Sequence, residues 1–316
     1  LRDRGVSIIF ISHALEEALE ISDRVTILRD GQHVLTARTA ELDREKIVRA
    51  MVGRSLTDQL YGDSHDRKVR SAGRKVLSVQ NLSMGKIVRN TSFSIFSGQV
   101  TGIFGLIGSG RTEAAKVVSG VMKRDVFHGG QVRLDGRPVR YRVPRPAVRD
   151  GIIYVTEDRK LEGFFETMSI AENIYMGAMA GGQTKSATIS MGEMKRIATE
   201  WTEALSVRAI NNDARVIELS GGNQQKVVVA KALVQKPKLV IFDEPTRGVD
   251  VGAIAEIHQL INRLADDGVA VMVISSYLPE ILHISDRILV CRQGRIVEEF
   301  VGTQADEETI MYAAVH

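Results

Sequence analysis

A glycine-rich stretch at 105–112, with the sequence GLIGSGRT, has the spacing of a loop that binds phosphate. It follows the apolar run VTGIF and precedes a helical pattern. Glycines allow backbone N–H groups to surround phosphate oxygens, and the amino end of a helix favours an anion. The alternative interpretation is a purely structural turn. The residues predicted to contact nucleotide here are Gly105, Gly108, Ser109, Gly110, Arg111, Thr112 and Glu113.

The cation of this loop differs from the usual pattern. In the spacing G-x-x-x-x-G-K-[ST] a lysine reaches the terminal phosphates and the next hydroxyl binds Mg²⁺. Here Arg111 replaces the lysine, and Thr112 supplies the hydroxyl. Arginine keeps the charge but presents a planar fork rather than a compact ammonium. The loop therefore predicts nucleotide and Mg²⁺ binding with altered geometry around the terminal phosphate.

Two adjacent carboxylates, Asp243 and Glu244, follow the apolar run KLVIF. A buried strand that ends this way places both at the carboxyl edge of a sheet, where α/β folds bind ligands. Asp243 would hold Mg²⁺ through water, and Glu244 would polarise an attacking water as a general base. A solvated turn is the alternative interpretation.

A third stretch, LSGGNQQ at 219–225, combines a helix cap with two glycines. Ser220 is a suitable N-cap for the helix that follows. Gly221 and Gly222 permit close backbone approach, so the helix would present N–H groups and its positive dipole to an anion. Taken alone, the stretch also fits a plain cap and turn.

The chain begins with a copy of its own ending. Residues 5–31 match residues 268–294 at 13 of 27 positions without a gap, and His13 stands opposite Ser276. The offset of 263 residues is too long for a solenoid repeat and has the size of a domain. We therefore predict tandem domains: 1–54 as the tail of a first domain, 55–75 as a linker and 76–316 as a second domain. A short local duplication is the alternative.

Short apolar runs such as GIIYV and AVMVI alternate with longer helical patterns. This alternation predicts an α/β fold with a largely parallel, buried sheet. Between Glu157 and Leu219 the pattern becomes mostly helical, which predicts a helical subdomain at about 158–235.

Composition narrows the function classes. The chain has 316 residues with 42 Lys and Arg against 39 Asp and Glu, a net charge of +3 that gives nucleic acid little to bind. A single cysteine, Cys291, excludes an internal disulfide. No apolar run reaches the 18 residues of a spanning helix, so we expect a soluble chain. The first residue is Leu rather than Met, which is compatible with a fragment.

Together the three stretches resemble the nucleotide-binding subunits of ABC transporters. More narrowly, GLIGSGRTE, YVTEDRKLEG, LSGGNQQK and DEPTRGVDVGA resemble the second domain of the tandem ATPases that energise bacterial monosaccharide import. The resemblance implies a RecA-like P-loop domain with a mostly parallel sheet, an antiparallel β edge and a helical subdomain. It implies ATP and Mg²⁺ as cofactors and a peripheral location on the cytoplasmic face of the inner membrane. The implied partners are a permease dimer, a periplasmic sugar-binding protein and a first nucleotide-binding domain, without nucleic acid.

The resemblance also assigns roles to residues. LSGGNQQ becomes the signature motif, with Ser220, Gly221, Gly222 and Gln224 as nucleotide contacts. Asp250 falls in the D-loop, and Glu157 stands where the family has its Q-loop glutamine. His13 matches the switch histidine, and Ser276 takes that position in the second domain.

These assignments predict two unequal nucleotide sites. The first domain, His13 and the signature of this chain would form the fast hydrolytic site. The loop at 105–112 with Asp243, Glu244 and Ser276 would form a site that binds nucleotide and hydrolyses it slowly or not at all. The alternatives are a non-hydrolysing regulatory domain and a soluble tandem ABC ATPase. Phe164 and Phe165 are either permease contacts or core residues.

Overall fold

The structure is a computed structural model that describes residues 4–11, 19–29, 32–42, 46–47, 50, 69–184, 188–302 and 304–316. The chain divides into two compact units, one of Leu1–Asp63 with Val249–Glu256 and the other of Ser64–Gly248 with Ile257–His316. His13 and most of the predicted linker lie outside the described residues. The domain boundaries drawn from the repeat stay a prediction.

The strands and helices alternate along the chain. The strands are β1 Arg24–Arg29, β2 Gln32–Arg38, β3 Lys75–Met84, β4 Val88–Phe96, β5 Val100–Phe104, β6 Gln131–Leu134, β7 Arg137–Val139, β8 Ile152–Val155, β9 Leu239–Asp243, β10 Ala270–Ser275, β11 Arg287–Arg292 and β12 Arg295–Val301. The α-helices are α1 Arg111–Val118, α2 Pro144–Asp150, α3 Ile170–Ala180, α4 Met191–Ala204, α5 Gly221–Leu233, α6 Val251–Asp266, α7 Leu278–Ile284 and α8 Glu307–Val315.

The larger unit is built on a six-stranded sheet with the order β12-β11-β5-β10-β9-β8. All neighbours are parallel except β11 and β12, which form an antiparallel edge. Every residue of β5, β9 and β10 is buried, as expected for strands covered on both faces. The predicted sheet, including its antiparallel edge, is observed.

The register of the central strands places the predicted site residues at one edge. Ile274 of β10 pairs with Asp243 of β9, and Ser275 pairs with Phe104 of β5. The glycine loop, the acidic pair and Ser276 therefore leave the sheet from neighbouring strand ends, where ligands bind in α/β folds.

A four-stranded antiparallel sheet, β4-β3-β6-β7, contributes to the same hydrophobic core. Leu77 and Leu82 of β3 belong to one buried cluster with Ala115 and Val118 of α1 and with Met272 of β10. Helix α1 is thereby held between the two sheets, which fixes the helix that follows the glycine loop.

The segment after Glu157 is mostly helical, as predicted. A π-helical turn at Arg159–Gly163 leads to α3, α4 and α5. Helix α3 begins with a capping box, in which the Ser169 hydroxyl accepts from the Glu172 N–H and the Glu172 carboxylate accepts from the Ser169 N–H. Phe164 is buried, as a core residue would be, whereas Phe165 is 45% exposed, and a permease contact of either residue stays a prediction.

The smaller unit contains a two-stranded antiparallel sheet, β1 and β2. Ile27, Ile47 and Ala255 form its buried cluster. The hairpin β1–β2 has the same bounds as β11–β12 when 263 is added to each residue number. The register irregularity also recurs, between Ile27 and Leu28 in one copy and between Val290 and Cys291 in the other. The sequence repeat is thus a structural repeat.

Within the part of the chain that the structure describes, no helix combines the length and the apolar character that crossing a membrane requires.

Candidate nucleotide-binding site

The glycine loop adopts a conformation that requires glycine at two positions. Gly108 and Gly110 have φ angles of 82° and 90°, in the left-handed region. A Cβ atom on Gly110 would also lie 2.7 Å from the Ile87 carbonyl oxygen. Helix α1 begins directly after Gly110. The amino end of this helix therefore faces the same space as the loop, as an anion site requires.

Arg111 is bound by the protein itself. Its guanidinium donates to the carbonyl oxygens of Gly105 and Leu106, the latter at 2.9 Å, and its Nη2 lies 2.8 Å from Glu244 Oε1. The side chains of this ion pair are only 8% and 10% exposed. Because few waters reach the pair, its attraction is screened less than that of a surface pair. The cation expected to meet phosphate thus contacts the predicted general base instead.

Glu244 is held by its backbone as well as by its carboxylate. Its φ of 47° lies in the left-handed region, and its N–H donates to the Ile274 carbonyl oxygen at 2.8 Å. The backbone N–H of Ser276 donates to Glu244 Oε1 at 2.8 Å. A non-glycine residue in this conformation carries strain of the kind that is common at functional sites. Oε1 of Glu244 thus accepts from two donors.

Asp243 and Thr112 bring two hard oxygen ligands together. Thr112 Oγ1 donates to Asp243 Oδ1 at 3.1 Å, and the Tyr154 hydroxyl donates to Asp243 Oδ2 at 2.5 Å. Burial raises the pKa of the Asp243 carboxyl, and the bonds from Tyr154 and Thr112 oppose this shift only in part. Burial, followed by the charge of Asp243, raises the pKa of Tyr154. A buried carboxylate next to a hydroxyl fits Mg²⁺, which takes one or two protein oxygens and completes its shell with phosphate and water.

Nine of the predicted residues, from the glycine loop and the strand ends beside it, line one cleft of about 550 Å³. Its walls hold the loop, Glu113, Glu157, Glu244 and Ser276, and Asp243 is joined to it through Thr112. In the described ranges, no group of three or more His, Cys, Asp and Glu side chains could hold a metal by itself. A metal here would depend on its nucleotide for most ligands. The full lining is Ile107, Gly108, Ser109, Gly110, Arg111, Thr112, Glu113, Lys116, Glu157, Glu244, Arg247 and Ser276.

Glu157 faces the cleft but already has a partner. Its carboxylate forms an ion pair with the Arg247 guanidinium, and both residues line the cleft. A glutamine at this position could both donate and accept, whereas the ionised glutamate only accepts. The structure therefore pairs the residue that departs from the family pattern with a nearby cation.

Arg159 connects three segments that the sequence keeps apart. Its Nη1 and Nη2 each donate at 2.8 Å, to the carbonyl oxygens of Arg247 and Gly248, and its Nε lies 3.3 Å from Gln224 Oε1. Burial lowers the pKa of Arg159. Gln224 Nε2 donates to the Leu219 carbonyl oxygen at 3.0 Å. The Gln224 side chain is thus engaged within the protein, and its predicted nucleotide contact stays a prediction.

Ser220 is the N-cap residue of α5 as predicted, but its side chain makes no capping bond. Its Oγ instead accepts from Asn223 Nδ2 at 3.0 Å, because the amide one turn later competes for the hydroxyl. Gly221 is required by packing, since a Cβ atom there would lie 2.8 Å from the Gly248 carbonyl oxygen. Gly222 is buried in the first turn of the same helix.

Two predicted residues, Asp250 and His13, belong to the smaller unit. Asp250 Oδ1 accepts from the Ala253 N–H at 3.0 Å in the first turn of α6. His13 falls outside the described residues. Their predicted roles in a composite site stay predictions.

Four residues of the site escaped the sequence analysis: Lys116, Tyr154, Arg159 and Arg247. Arg247 follows the acidic pair in DEPTRG, and Tyr154 is the polar-tipped residue of the apolar run GIIYV. Tyr154 could have been recognised, because a hydroxyl inside a buried strand needs a partner. Arg247 could have been recognised as a cation close to the acidic pair. The bonds of Arg159 span up to 89 residues and leave no local pattern.

Comparison with known proteins places this site in a family. The ABC transporter family matches residues 88–247, about half of the chain. A ribose import ATP-binding protein of Rhizobium etli is 43% identical over 314 residues, which cover 99% of this chain and 61% of that protein. A ribose import ATP-binding protein of Geobacillus kaustophilus is 41% identical, with 99% and 62% covered. The chain thus spans about three fifths of the length of these relatives.

Solved structures agree on the fold. An ATP-binding cassette of an ABC transporter superposes with a TM-score of 0.65 at 24% identity and covers 77% of this chain and 100% of its own. A bacterial ABC transporter cassette solved as a dimer gives 0.61 at 22% identity, with 71% and 98% covered. The predicted RecA-like fold is confirmed by these matches. Because the family model matches residues 88–247, half of the chain, the chain belongs to the ABC transporter family.

Proposed function

We propose that this chain binds ATP with Mg²⁺ in the cleft and is part of the ATP-hydrolysing subunit of a monosaccharide importer. The observation that carries the proposal is the meeting of the glycine loop, Glu244 and Ser276 in one cleft, with Asp243 bonded to Thr112 behind its wall. The relatives named as ribose import ATP-binding proteins support the transport role. The partners would be a membrane permease, a sugar-binding protein and a first nucleotide-binding domain, and the subunit would lie on the cytoplasmic membrane face.

The residues of the cleft have separable roles. Backbone N–H groups of the loop and the amino end of α1 would bind the phosphates. Thr112 and Asp243 would hold Mg²⁺, which neutralises phosphate charge when bound. Glu244 would orient and deprotonate the attacking water. Phosphoryl transfer depends mostly on positioning and electrostatics, so the placement of these residues decides turnover.

We further propose that this site hydrolyses ATP slowly. Arg111 and the Ser276 N–H both donate to Glu244 Oε1, so the general base must lose a charged partner before it can serve a water. The Ser276 side chain cannot titrate, unlike the histidine at the matching position 13. The faster site would combine the first domain and His13 with Ser220, Gly221 and Gly222 of this chain.

Calorimetric titration of the purified chain with ATP and Mg²⁺ tests the binding proposal. We expect Glu244→Gln to bind nucleotide about as well as the original, because Glu244 contributes to chemistry more than to affinity. Asp243→Asn should lose the Mg²⁺-dependent part of binding. If Asp243→Asn kept the Mg²⁺ dependence of the original chain, the assigned metal ligands would be wrong.

Single-turnover hydrolysis tests the inequality of the two sites. In the longer protein that contains this chain and a first nucleotide domain, His13→Ala should reduce the rate more than Glu244→Gln. The opposite order would contradict the assignment. Reconstitution with a permease and a sugar-binding protein, assayed with a panel of pentoses and hexoses, tests the import role through sugar-stimulated hydrolysis.

A second candidate is a non-hydrolysing nucleotide-binding domain. The buried ion pair between Arg111 and Glu244 favours it, since both side chains are nearly inaccessible. Arg111→Lys distinguishes the two: a compact ammonium lacks the fork with which the guanidinium bonds both the backbone carbonyl oxygens of the loop and Glu244 Oε1, so the hold on Glu244 should weaken. A rise in turnover supports a suppressed enzyme, and an unchanged zero rate supports the binding role.

A further inference from the structure

One segment of the larger unit is far more basic than the rest of the chain. Residues 123–150 contain eight Lys and Arg against three Asp, a charge of +5, whereas the whole chain carries +3. The remainder is therefore slightly acidic. Basic charge concentrated this way on a near-neutral protein is typical of a surface that meets an anionic partner.

The three carboxylates of this segment are engaged elsewhere. Asp125 accepts from the Gly85 N–H, Asp135 pairs with Arg74 and Lys238, and Asp150 accepts from the Tyr141 hydroxyl. The segment therefore neutralises little of its own positive charge. In the part of the chain that the structure describes, the cations at 140 and 142 have no carboxylate partner.

Two loops place part of this charge beside exposed apolar side chains. The Arg140 guanidinium donates to the Asp125 carbonyl oxygen at 3.1 Å and to that of Val126 at 3.4 Å. Gly120 abuts the Val143 carbonyl oxygen, so the loop after α1 lies along the segment before α2. We name the resulting area the basic–apolar surface, consisting of Arg124, Val126, Phe127, Arg140, Arg142 and Val143.

The apolar members of this surface project into solvent. Phe127 is 92% exposed, and Val126 and Val143 are more than half exposed. Singly exposed apolar residues need no explanation, but an exposed aromatic flanked by valines and guanidiniums is unusual for a free surface. Arginine stems can also cover apolar surface while their heads stay in polar surroundings.

Arg124 differs from its exposed neighbours. Its Nε and Nη1 are buried without a hydrogen-bond partner in the described structure. Burial, and then the charge of Arg140, lowers the pKa of Arg124. Because these two donors are closed to solvent, the cations that an external anion reaches on this surface are those of Arg140 and Arg142.

We propose that the basic–apolar surface rests on the anionic headgroups of a lipid bilayer. Phosphate oxygens would accept from Arg140 and Arg142, and Phe127 with its neighbouring valines would enter the headgroup boundary. Basic residues beside exposed aromatic and aliphatic side chains are typical of proteins that bind membrane interfaces. An acidic protein would satisfy the same cations, and the test below separates that partner from lipid.

Vesicle sedimentation with the complete chain tests this proposal. Vesicles of phosphatidylcholine alone are compared with vesicles that contain about 30% phosphatidylglycerol, at low and at high salt. We expect binding to the anionic vesicles only, with strong loss at high salt because surface charges are then screened. No binding to anionic vesicles at low salt would overturn the proposal.

Matched variants locate the surface. Arg140→Gln with Arg142→Gln should weaken vesicle binding roughly 30-fold, about fivefold for each charge. Phe127→Ser should weaken it roughly tenfold through the lost apolar contact. The controls are Arg263→Gln with Lys195→Gln, two exposed charges outside the surface, and Ile210→Ser, an equally exposed apolar residue.

The outcomes separate a lipid partner from an acidic protein. Equal weakening by the control variants would overturn the proposal, because charge anywhere on the chain would then suffice. Binding to soluble polyglutamate but not to anionic vesicles would instead assign the surface to an acidic protein. Unfolding temperature and ATP affinity, measured on each variant, confirm that the fold and the cleft are intact, so failure of the proposed ATPase would leave this test valid.

Discussion

The two copies of the repeat share their hairpin but differ in the segment that precedes it. In the second copy, residues 270–275 form β10, which lies between β5 and β9 and is buried throughout. In the first copy, the matching residues 7–11 form no strand, and Ile9 is 92% exposed where its counterpart Met272 is 0% exposed. The pattern of apolar residues is therefore insufficient for a strand without neighbours that pair with it.

The hairpins of the two copies show the opposite behaviour. β1–β2 keeps the bounds, register and irregularity of β11–β12, although β11 pairs with a third strand and β1 pairs with β2 alone among the described residues. A hairpin supplies its own partner, whereas a central parallel strand depends on distant segments. The β1–β2 pairing thus forms from adjacent segments alone.

The largest expected difference concerns the two matching apolar residues. Met272→Asp should unfold the larger unit, at a cost of at least about 4 kcal/mol, because it buries an unpaired charge in a central strand. Ile9→Asp, the same change at the matching position, should leave the unfolding temperature within about 1 °C. Thermal denaturation measures both, and equal losses would break the comparison.

The next expected difference concerns thiol reactivity. Burial raises the pKa of the Cys291 thiol to about 11. The thiolate fraction at pH 8 is then roughly 1 in 1,000. The rate of Cys291 alkylation by a maleimide should rise about tenfold per pH unit until the pH reaches the pKa. Leu28, the matching residue, is 63% exposed. An exposed thiol of ordinary pKa is about one quarter thiolate at pH 8, so Leu28→Cys in a Cys291→Ser background should react with a maleimide at least about 200-fold faster.

The third prediction exchanges the chemistry of the copies. Ser276→His gives the second copy the residue that the first carries at position 13. Alone it should change turnover little, because Arg111 still holds Glu244. Combined with Arg111→Lys it should raise single-turnover hydrolysis at least about tenfold. Additive small effects of the two changes would show that the ion pair does not restrain the base.

The smallest expected effect concerns Asp243, at the end of β9, and the pH dependence of the stability of its sheet. Because the pKa of Asp243 is raised in the folded state, folding favours the protonated carboxyl. Stability should therefore fall as pH rises from the unfolded pKa through the folded pKa. Asp243→Asn should remove this pH dependence and raise the unfolding temperature at neutral pH, because the amide carries no charge into the buried site. A lower unfolding temperature would contradict this.

Much of the fold and the centre of the site could be predicted from the sequence. The runs VTGIF, KLVIF and AVMVI predict buried parallel strands, and the rule that such strands end at one edge brings 105–112 to Asp243. Both steps rest on local patterns. The same rule accounts for Ser276, which follows β10.

The parts of the site that could not be predicted depend on side-chain contacts between distant segments. Arg111 turning to Glu244, Arg247 pairing with Glu157 and Arg159 bonding to Gly248 each join segments far apart in sequence. Such pairs have no period and no composition signal. The absent capping bond of Ser220 has a nearer cause, since Asn223 could have been recognised as a competing donor.

The turn of the second hairpin touches the phosphate loop directly. A Cβ atom on Gly294 would lie 2.2 Å from the Ile87 carbonyl oxygen, the same oxygen that excludes a side chain from Gly110. The Gly294 N–H also donates to the Ser109 carbonyl oxygen at 2.7 Å. A substitution in this turn should therefore weaken nucleotide binding, although no residue of the turn lines the cleft. Variants selected for weak ATP binding should accordingly map to the far end of the β11–β12 ribbon as well as to the cleft walls.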